Sequence, residues 1–392
     1  MSKDKSWTVE IETGVSIKDL DSYLRICDPP LTLSSNVVFD CHGAATREGT
    51  LSDKVTCVKI VGADGTLNVF TKEKDPVEFA AATINLGLFG IIHSYTIQVE
   101  PMFKLQLVNY PLQSELFAFA NVGGSRIKAL VQSSEQIEFI YFPFSCRDFK
   151  SPANDRVLIR QWHRTDLPLK SSLKRVAFQR FRQRLLVRFA QNVLYKFMTT
   201  FPKTTPYVCY PLFAMTPRDK KVLYAPDAIH HYGGLELFTI TELEMAFKVD
   251  DDFGNVVNAW NFAMSLMYEY GNRGEFPLNM ALEMRFIKAS GMTMSNAYDD
   301  DPEALYCMMQ VVSKAEVRGF KEFTAKLGRL WMDTVQARPH WAKVWEHIPG
   351  IVPHLRKLDS ARFDQFEAIR KKYDPEAMFM NATFAGLLGH DM

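Results

Sequence analysis

An α+β fold follows from three observations. The chain has 392 residues, 47% of them hydrophobic, enough to bury the cores of two domains. Short strand-like runs rich in β-branched and aromatic residues are mixed with helical stretches, and no βαβ rhythm organises them between about 106 and 365. Long amphipathic helical patterns fall late, at Val317–Val335 and Phe363–Lys372. Helices that flank an antiparallel sheet account for this order.

The first elements can be placed in turn. Trp7-Thr8-Val9-Glu10-Ile11 alternates apolar and polar side chains, as a half-buried strand does. Gly14–Leu20 reads as a turn into a helix capped by Ser16, with Ile17, Leu20 and Leu24 on one face. Val55–Val61 and Leu67–Phe70 form a hairpin about Ala63-Asp64-Gly65, since Gly accepts positive φ. Phe79–Thr83 is a short helix, Leu86–Gly90 a turn, and Ile91–Val99 a strand that Pro101 closes. Further strands are expected at Ile137–Phe142, Ala281–Ile287 and Cys307–Val312.

Bulk charge excludes some functions. The net charge is +1 and the pI about 7.6, so there is no basic excess for nucleic acid. The six cysteines are scattered without a C-x-x-C, which leaves no metal ribbon and reads as small reduced core residues. No metal site is expected. No secretory h-region follows Met1, and no run of about 18 apolar residues could span a bilayer; an intracellular protein is expected. One segment breaks the balance. Residues 167–203 contain nine Lys or Arg and no Asp or Glu. On a helical wheel Phe178, Phe181, Leu185, Phe189 and Val193 share a side opposite Arg180, Arg184 and Arg188. Such a helix either packs its apolar face on the protein or lies on an anionic membrane, so 170–198 is a candidate peripheral contact with an organelle membrane, mitochondrial or other.

Glu283-Met284-Arg285 sits on an expected strand, so Glu283 and Arg285 point to one face with Met284 and Phe286 behind. The pair suits either a hydroxylated ligand or an ordinary surface ion pair. His340, in Arg338-Pro339-His340-Trp341-Ala342-Lys343, reads on its own as a packed loop histidine. Lys371-Lys372-Tyr373-Asp374-Pro375 closes a helix, with Phe379 and Asn381 beyond it. Glu242 and Glu244 share a strand face and read as solvated scaffold.

Taken together and in order, these elements resemble the sugar-1,4-lactone oxidases of the vanillyl-alcohol-oxidase group, which carry a PCMH-type FAD-binding domain. Cys41-His42-Gly43 with Gly49-Thr50-Leu51-Ser52 resembles the family's His-Gly stretch, and Leu86-Gly87-Leu88-Phe89-Gly90-Ile91 its later Gly-x-x-Gly-Ile element. The resemblance implies three parts: the second lobe of an FAD-binding domain at 1–105, a cap or substrate domain at 106–370, and a C-terminal segment at 371–392 that returns to the first. It implies FAD-dependent oxidation of an aldono-1,4-lactone such as D-arabinono-1,4-lactone, with oxygen as acceptor. Glu283, Arg285, Lys343 and His340 would be catalytic, Lys343 and His340 by stabilising the reduced ring. His42, Gly43, Gly87, Gly90, Ile91 and Asn381 would contact the cofactor.

The sequence also departs from that pattern. Trp7–Ile11 aligns with the strand after the family's pyrophosphate-binding lobe, whose Gly-rich loop is not found in the sequence. Leu33–Asp40 replaces a glycine-rich stretch, and Ala44-Ala45-Thr46 a second small pair. Bulk there works against FAD. The competing expectation is a truncated or flavin-free paralogue that binds ligands or partners on the same scaffold.

Overall fold

The computed structural model describes residues 7–16, 20, 37–113, 123–146, 151–169, 181, 185, 189–214, 216, 218, 220–229 and 239–390. Most of the helix expected after Ser16, together with Phe178, Arg180, Arg184 and Arg188, lies outside them.

Two antiparallel sheets organise the chain. The first has four strands, β1 (Trp7–Glu12), β2 (Val55–Val61), β3 (Leu67–Thr71) and β4 (Ile91–Val99), in the order β1-β4-β2-β3. Helix α1 (Pro76–Thr83) packs on it; Asp75 caps it by accepting from the Glu78 amide, and Pro76 opens it. After β4 the chain passes to the second sheet within four residues, Glu100–Phe103.

The second sheet has eight strands: β5 (Lys104–Gln113), β6 (Gln136–Phe142), β7 (Arg156–Arg164), β8 (Lys220–Tyr224), β9 (Ile240–Lys248), β10 (Ala281–Lys288), β11 (Leu305–Lys314) and β12 (Arg338–Pro339). Their order is β12-β9-β11-β10-β6-β7-β5-β8. Strand β11 is buried on both faces from Tyr306 to Ser313, which explains its near-continuous apolar run. One face of the sheet carries Leu282, Met284, Phe286, Phe139, Tyr141 and Met309 into the main core. Helices α2 (Gly254–Asn272) and α3 (Phe320–Val335) contribute to the same core; Trp331 on α3 donates its indole N–H to the Ala259 carbonyl at 2.9 Å.

Helix α4 (Ile351–Tyr373) is longer than the expected Phe363–Lys372 and is kinked at Asp359. At the kink Arg338 donates through Nε and Nη2 to both Asp359 oxygens at 2.9 and 3.0 Å, and Arg362 Nη2 donates to the same carboxylate at 2.7 Å. Asp374 then stops the helix. It is fully buried and accepts from the Met378 and Phe379 amides, so it is a structural cap, as its neighbour Pro375 suggests. The helix end meets the first sheet: Lys372 and Tyr373 bond Glu78, and the Tyr373 ring lies edge-on to Phe70.

The loop at residues 40–53 fastens the two sheets. Ala44 O accepts from Ile137 N at 3.0 Å, Glu48 O from Lys288 N at 2.8 Å, and Asp53 from Ser290 Oγ at 2.8 Å. Asp40, fully buried, accepts from Ser295 Oγ at 2.5 Å. These anchors deliver His42 to the polar face of the large sheet.

Candidate active site

The face of the second sheet opposite its core carries a row of charges. It is set by register: Asn109 pairs with Arg160, Arg160 with Glu138 and Glu138 with Arg285; two residues along, Glu283 pairs with Gln310 and Gln310 with Glu244. Because each strand alternates, these side chains share one face while Met284 and Phe286 take the other. Glu138 is the hub. One of its oxygens accepts from Arg285 Nε at 2.8 Å, the other from Arg160 Nη1 at 2.7 Å. Arg160 Nε donates to Asn109 Oδ1, and Arg285 Nη2 to Glu283 Oε2 at 2.6 Å.

This crowding sets the protonation states. Burial pushes the Glu283 carboxyl up to about 7; Arg285 opposes the shift, and the Glu138 and Glu242 carboxylates add to it. Burial works against charge on Arg285, but Glu138 and Glu283 more than offset it. Glu283 and Arg285 remain a fifth and a quarter exposed, so solutes reach them. The result is a carboxyl poised to exchange a proton near neutrality beside a permanent cation.

At the far end of the row His42, His340 and Lys343 converge on β9. His42 Nε2 lies 2.5 Å from Glu244 Oε1, and His42 Nδ1 lies 2.9 Å from the Gly43 carbonyl. Burial raises the Glu244 carboxyl, but His42 and Lys343 hold it well below the usual carboxylate range. His340 is 2% exposed, and burial pushes it down to about 3 in spite of Glu244. Its Nδ1 accepts from the Ala342 amide at 3.2 Å. His340 is therefore neutral at neutral pH. Lys343 retains its charge: burial opposes it, and Glu244 and Glu242 hold it up. It bonds Glu242, whose other oxygen takes Gln310.

His42, Glu244 and His340 bring three metal-ligand-type atoms within 4.8 Å of one another. These atoms are already engaged, His42 Nε2 with Glu244 and His340 Nδ1 with the Ala342 amide, so a metal would have to displace those hydrogen bonds. Burial pushes the adjacent Cys41 thiol up to about 12, so it is no nucleophile at neutral pH.

The other expected contacts take different roles. A Cβ on Gly43 would meet nothing within 4 Å, nor would one on Gly87, which has φ +76°. Gly90 differs: φ is +137°, and a Cβ would stand 2.1 Å from the Val61 carbonyl oxygen. Strand packing between β4 and β2 accounts for this glycine. Ile91 opens β4 and is 66% exposed. Asn381 caps a short turn, accepting from the Phe384 amide at 3.2 Å.

The sequence reading passes over Glu138, Arg160 and Gln310, and it misreads Glu244 as solvated; at 2% exposure it is among the most buried carboxylates of the described residues. A signal was present. Each acid or amide interrupts a strongly apolar strand: Ile137-Glu138-Phe139, Met309-Gln310-Val311, Leu243-Glu244-Met245. A lone polar residue in such a run requires a buried partner.

A small four-stranded sheet joined to a large antiparallel sheet is a fold also found in cholesterol oxidases. A solvent-stable cholesterol oxidase shares the fold, with a TM-score of 0.76 at 16% identity over 99% of this chain and 83% of that one. By sequence, the L-gulono-1,4-lactone dehydrogenase of Mycobacterium tuberculosis is 22% identical over 362 residues, 92% of this chain and 74% of that protein. The L-gulonolactone oxidase of Bos taurus is 24% identical over 395 residues, 95% of this chain and 79% of that protein. The model of the D-arabinono-1,4-lactone oxidase family matches residues 95–386, and the chain belongs to that family of flavoprotein oxidoreductases.

Proposed function

We propose that this protein is an FAD-dependent oxidoreductase that oxidises the carbon bearing the 2-hydroxyl of an aldono-1,4-lactone, D-arabinono-1,4-lactone or a close relative, with oxygen as the final acceptor. The observation that carries this reading is the Glu283–Arg285 pair, a carboxyl near neutrality bonded at 2.6 Å to a fixed guanidinium on an accessible sheet face. The division of labour follows the two sheets, with 1–105 and the segment 371–392 on the cofactor side and 106–370 on the substrate side.

Two features are compatible with an additional polar group beside the fastening loop. Asn296 is fully buried, and neither its Oδ1 nor its Nδ2 has a partner among the described residues. The space next to Gly43 is open. FAD, when bound, supplies the acceptor for the hydride that leaves the hydroxyl-bearing carbon. Arg285 donates to the lactone oxygens and fixes the ring. Glu283, as carboxylate, accepts the hydroxyl proton as the C–O bond becomes a carbonyl. Lys343 lends positive charge, and neutral His340 packs beside it without competing for the proton.

An absorption spectrum of the purified protein, before and after incubation with FAD, tests the cofactor assignment; retained flavin bands followed by turnover of D-arabinono-1,4-lactone support the whole reading. A protein that stays colourless supports the second reading, a flavin-free binding protein. The direct His42–Glu244 contact between the fastening loop and the large sheet favours that alternative.

A further inference from the structure

The charged row does not stop at Arg285. One strand beyond Glu138, on β7, Arg160 repeats what Arg285 does on β10. Arg160 gives Nε to Asn109 Oδ1 at 3.1 Å and Nη1 to Glu138 Oε2 at 2.7 Å. Arg285 gives Nε to Glu138 Oε1 and Nη2 to Glu283 Oε2. Each guanidinium has two nitrogens tied down and a third, Nη2 of Arg160 and Nη1 of Arg285, that no acceptor among the described residues takes up. The Glu283, Arg285 and Arg160 side chains keep 20%, 25% and 14% of their surface exposed. They line one accessible strip in that order.

Arg160 is also held in place. The face of its guanidinium is turned to Trp162, with Cζ 5.9 Å from the ring centroid, and the Trp162 indole N–H is fixed by the Ala228 carbonyl at 2.8 Å. With Asn109 and Glu138 on its edges, the planar group cannot turn, so its open N–H groups have a set heading. A partly buried donor of this kind is fully satisfied only when water or a ligand oxygen meets it. Charge narrows the ligand. With Glu283 as carboxylate, the Glu138 and Glu283 carboxylates balance the two guanidinium groups, so the strip suits uncharged hydroxyl oxygens better than a second anionic group.

We propose that Arg160 is a specificity-determining residue that hydrogen-bonds the exocyclic hydroxyls of the substrate, and so favours a lactone with a two-carbon hydroxylated tail over one with a one-carbon tail. The inference rests on the lactone reading of Glu283 and Arg285. With the 2-hydroxyl at Glu283 and the lactone oxygens at Arg285, the carbon that bears the tail is the one bonded to the ring oxygen. The tail therefore continues the row towards Arg160.

The test is calorimetric titration of the purified protein with D-arabinono-1,4-lactone and with L-galactono-1,4-lactone, alongside turnover of each. The two share their ring stereochemistry and differ by one hydroxylated carbon in the tail. The wild type should bind the six-carbon lactone more tightly. Arg160→Lys keeps a counter-charge for Glu138 but gives up the planar fork, and should lower the ratio of the two affinities about tenfold. Arg160→Met should remove the preference, with its thermal midpoint read first; if it does not fold, the lysine variant decides. A wild type without the preference, or a lysine variant with the wild-type ratio, overturns the proposal even where both lactones are oxidised. A protein that binds both lactones with the expected ratios and oxidises neither upholds Arg160 and removes the redox reading instead. A protein that binds neither lactone overturns both.

Discussion

Arg285 and Glu138 face each other across β10 and β6, 147 residues apart in sequence, with Nε 2.8 Å from Oε1. Glu138 holds Arg160 with its second oxygen, so one carboxylate fixes two guanidinium groups. Arg285 cannot rotate away from Glu283 without breaking that clamp. Glu138→Gln should therefore raise KM for the lactone and lower kcat together, because the donor that orients the ring is loosened. It should also cost stability, about 3 kcal/mol, since two partly buried cations lose their counter-charge. Denaturant midpoints and steady-state kinetics on the same preparation check both effects. Loss of stability with unchanged kinetics would reduce Glu138 to scaffold.

The Glu283 carboxyl, pushed up to about 7 by burial, gives a signed expectation. A base must be deprotonated, so kcat/KM for a lactone should rise as pH rises through about 7 and then level. Glu283→Gln should remove that rise and lower kcat by about 10²–10⁴. The same shift acts on stability in the opposite direction. A carboxyl whose folded value lies above its unfolded one stabilises the fold most below the unfolded value, and that contribution is lost as pH climbs through about 7. A pH profile of the wild type that stays flat across this range would remove the assignment of Glu283 as base.

This pair was legible in sequence because strand alternation is local: residues 283 and 285 must share a face once Ala281–Ile287 is a strand. The partners were not. Glu138 reaches Arg285 only through the pairing of β6 with β10, and His42 reaches Glu244 across 202 residues. Register between distant strands is a tertiary property with no local signature. Helix α2 was hidden for another reason. It starts after Phe253, held at φ +61°, and its first amides are taken by Asp252 and Asp250 further upstream, so the start signal is displaced from the residue that precedes the helix. The outward heading of Phe181, Leu185 and Phe189 was also unreadable, since an amphipathic pattern does not say which side meets the core.

His340 and Glu244 predict behaviour in acid. His340 has an ordinary value of 6.5 and a folded value of about 3, so the fold holds the neutral ring. That contribution is intact above the unfolded value and is lost progressively as pH falls from 6.5 towards 3. Glu244 is depressed from 4.5, so its contribution is present above the unfolded value and is lost as pH falls below it. His340→Asn, which offers an oxygen to the Ala342 amide, should flatten the stability profile in the first range. Glu244→Gln should flatten it in the second and lower stability at neutral pH by about 2–4 kcal/mol, since His42 and Lys343 lose a buried ionised partner. Urea midpoints at stepped pH values check both; parallel profiles for all three proteins would refute the neutral His340 and the ionised Glu244.

Gly43 and Gly90 separate cofactor space from packing. Both fall in stretches that resemble flavin-contacting elements, but their surroundings differ. At Gly90 a Cβ would press 2.1 Å from the Val61 carbonyl oxygen, on a backbone with φ +137° that L side chains avoid. Gly90→Ala must therefore shift β4 against β2 and should lower stability by about 2–3 kcal/mol or more. At Gly43 the Cβ enters open space, so Gly43→Ala should leave the thermal midpoint within a degree or so of wild type, the usual result for an unstrained change away from packed groups. If that space receives the cofactor, the same substitution should weaken FAD binding, read directly as the quenching of flavin fluorescence on titration. Gly90→Ala, measured where it remains folded, should bind FAD as the wild type does. A Gly43→Ala protein with unaltered stability and unaltered FAD affinity would show that the space beside His42 is not cofactor space, whatever the fate of the Glu283–Arg285 assignment.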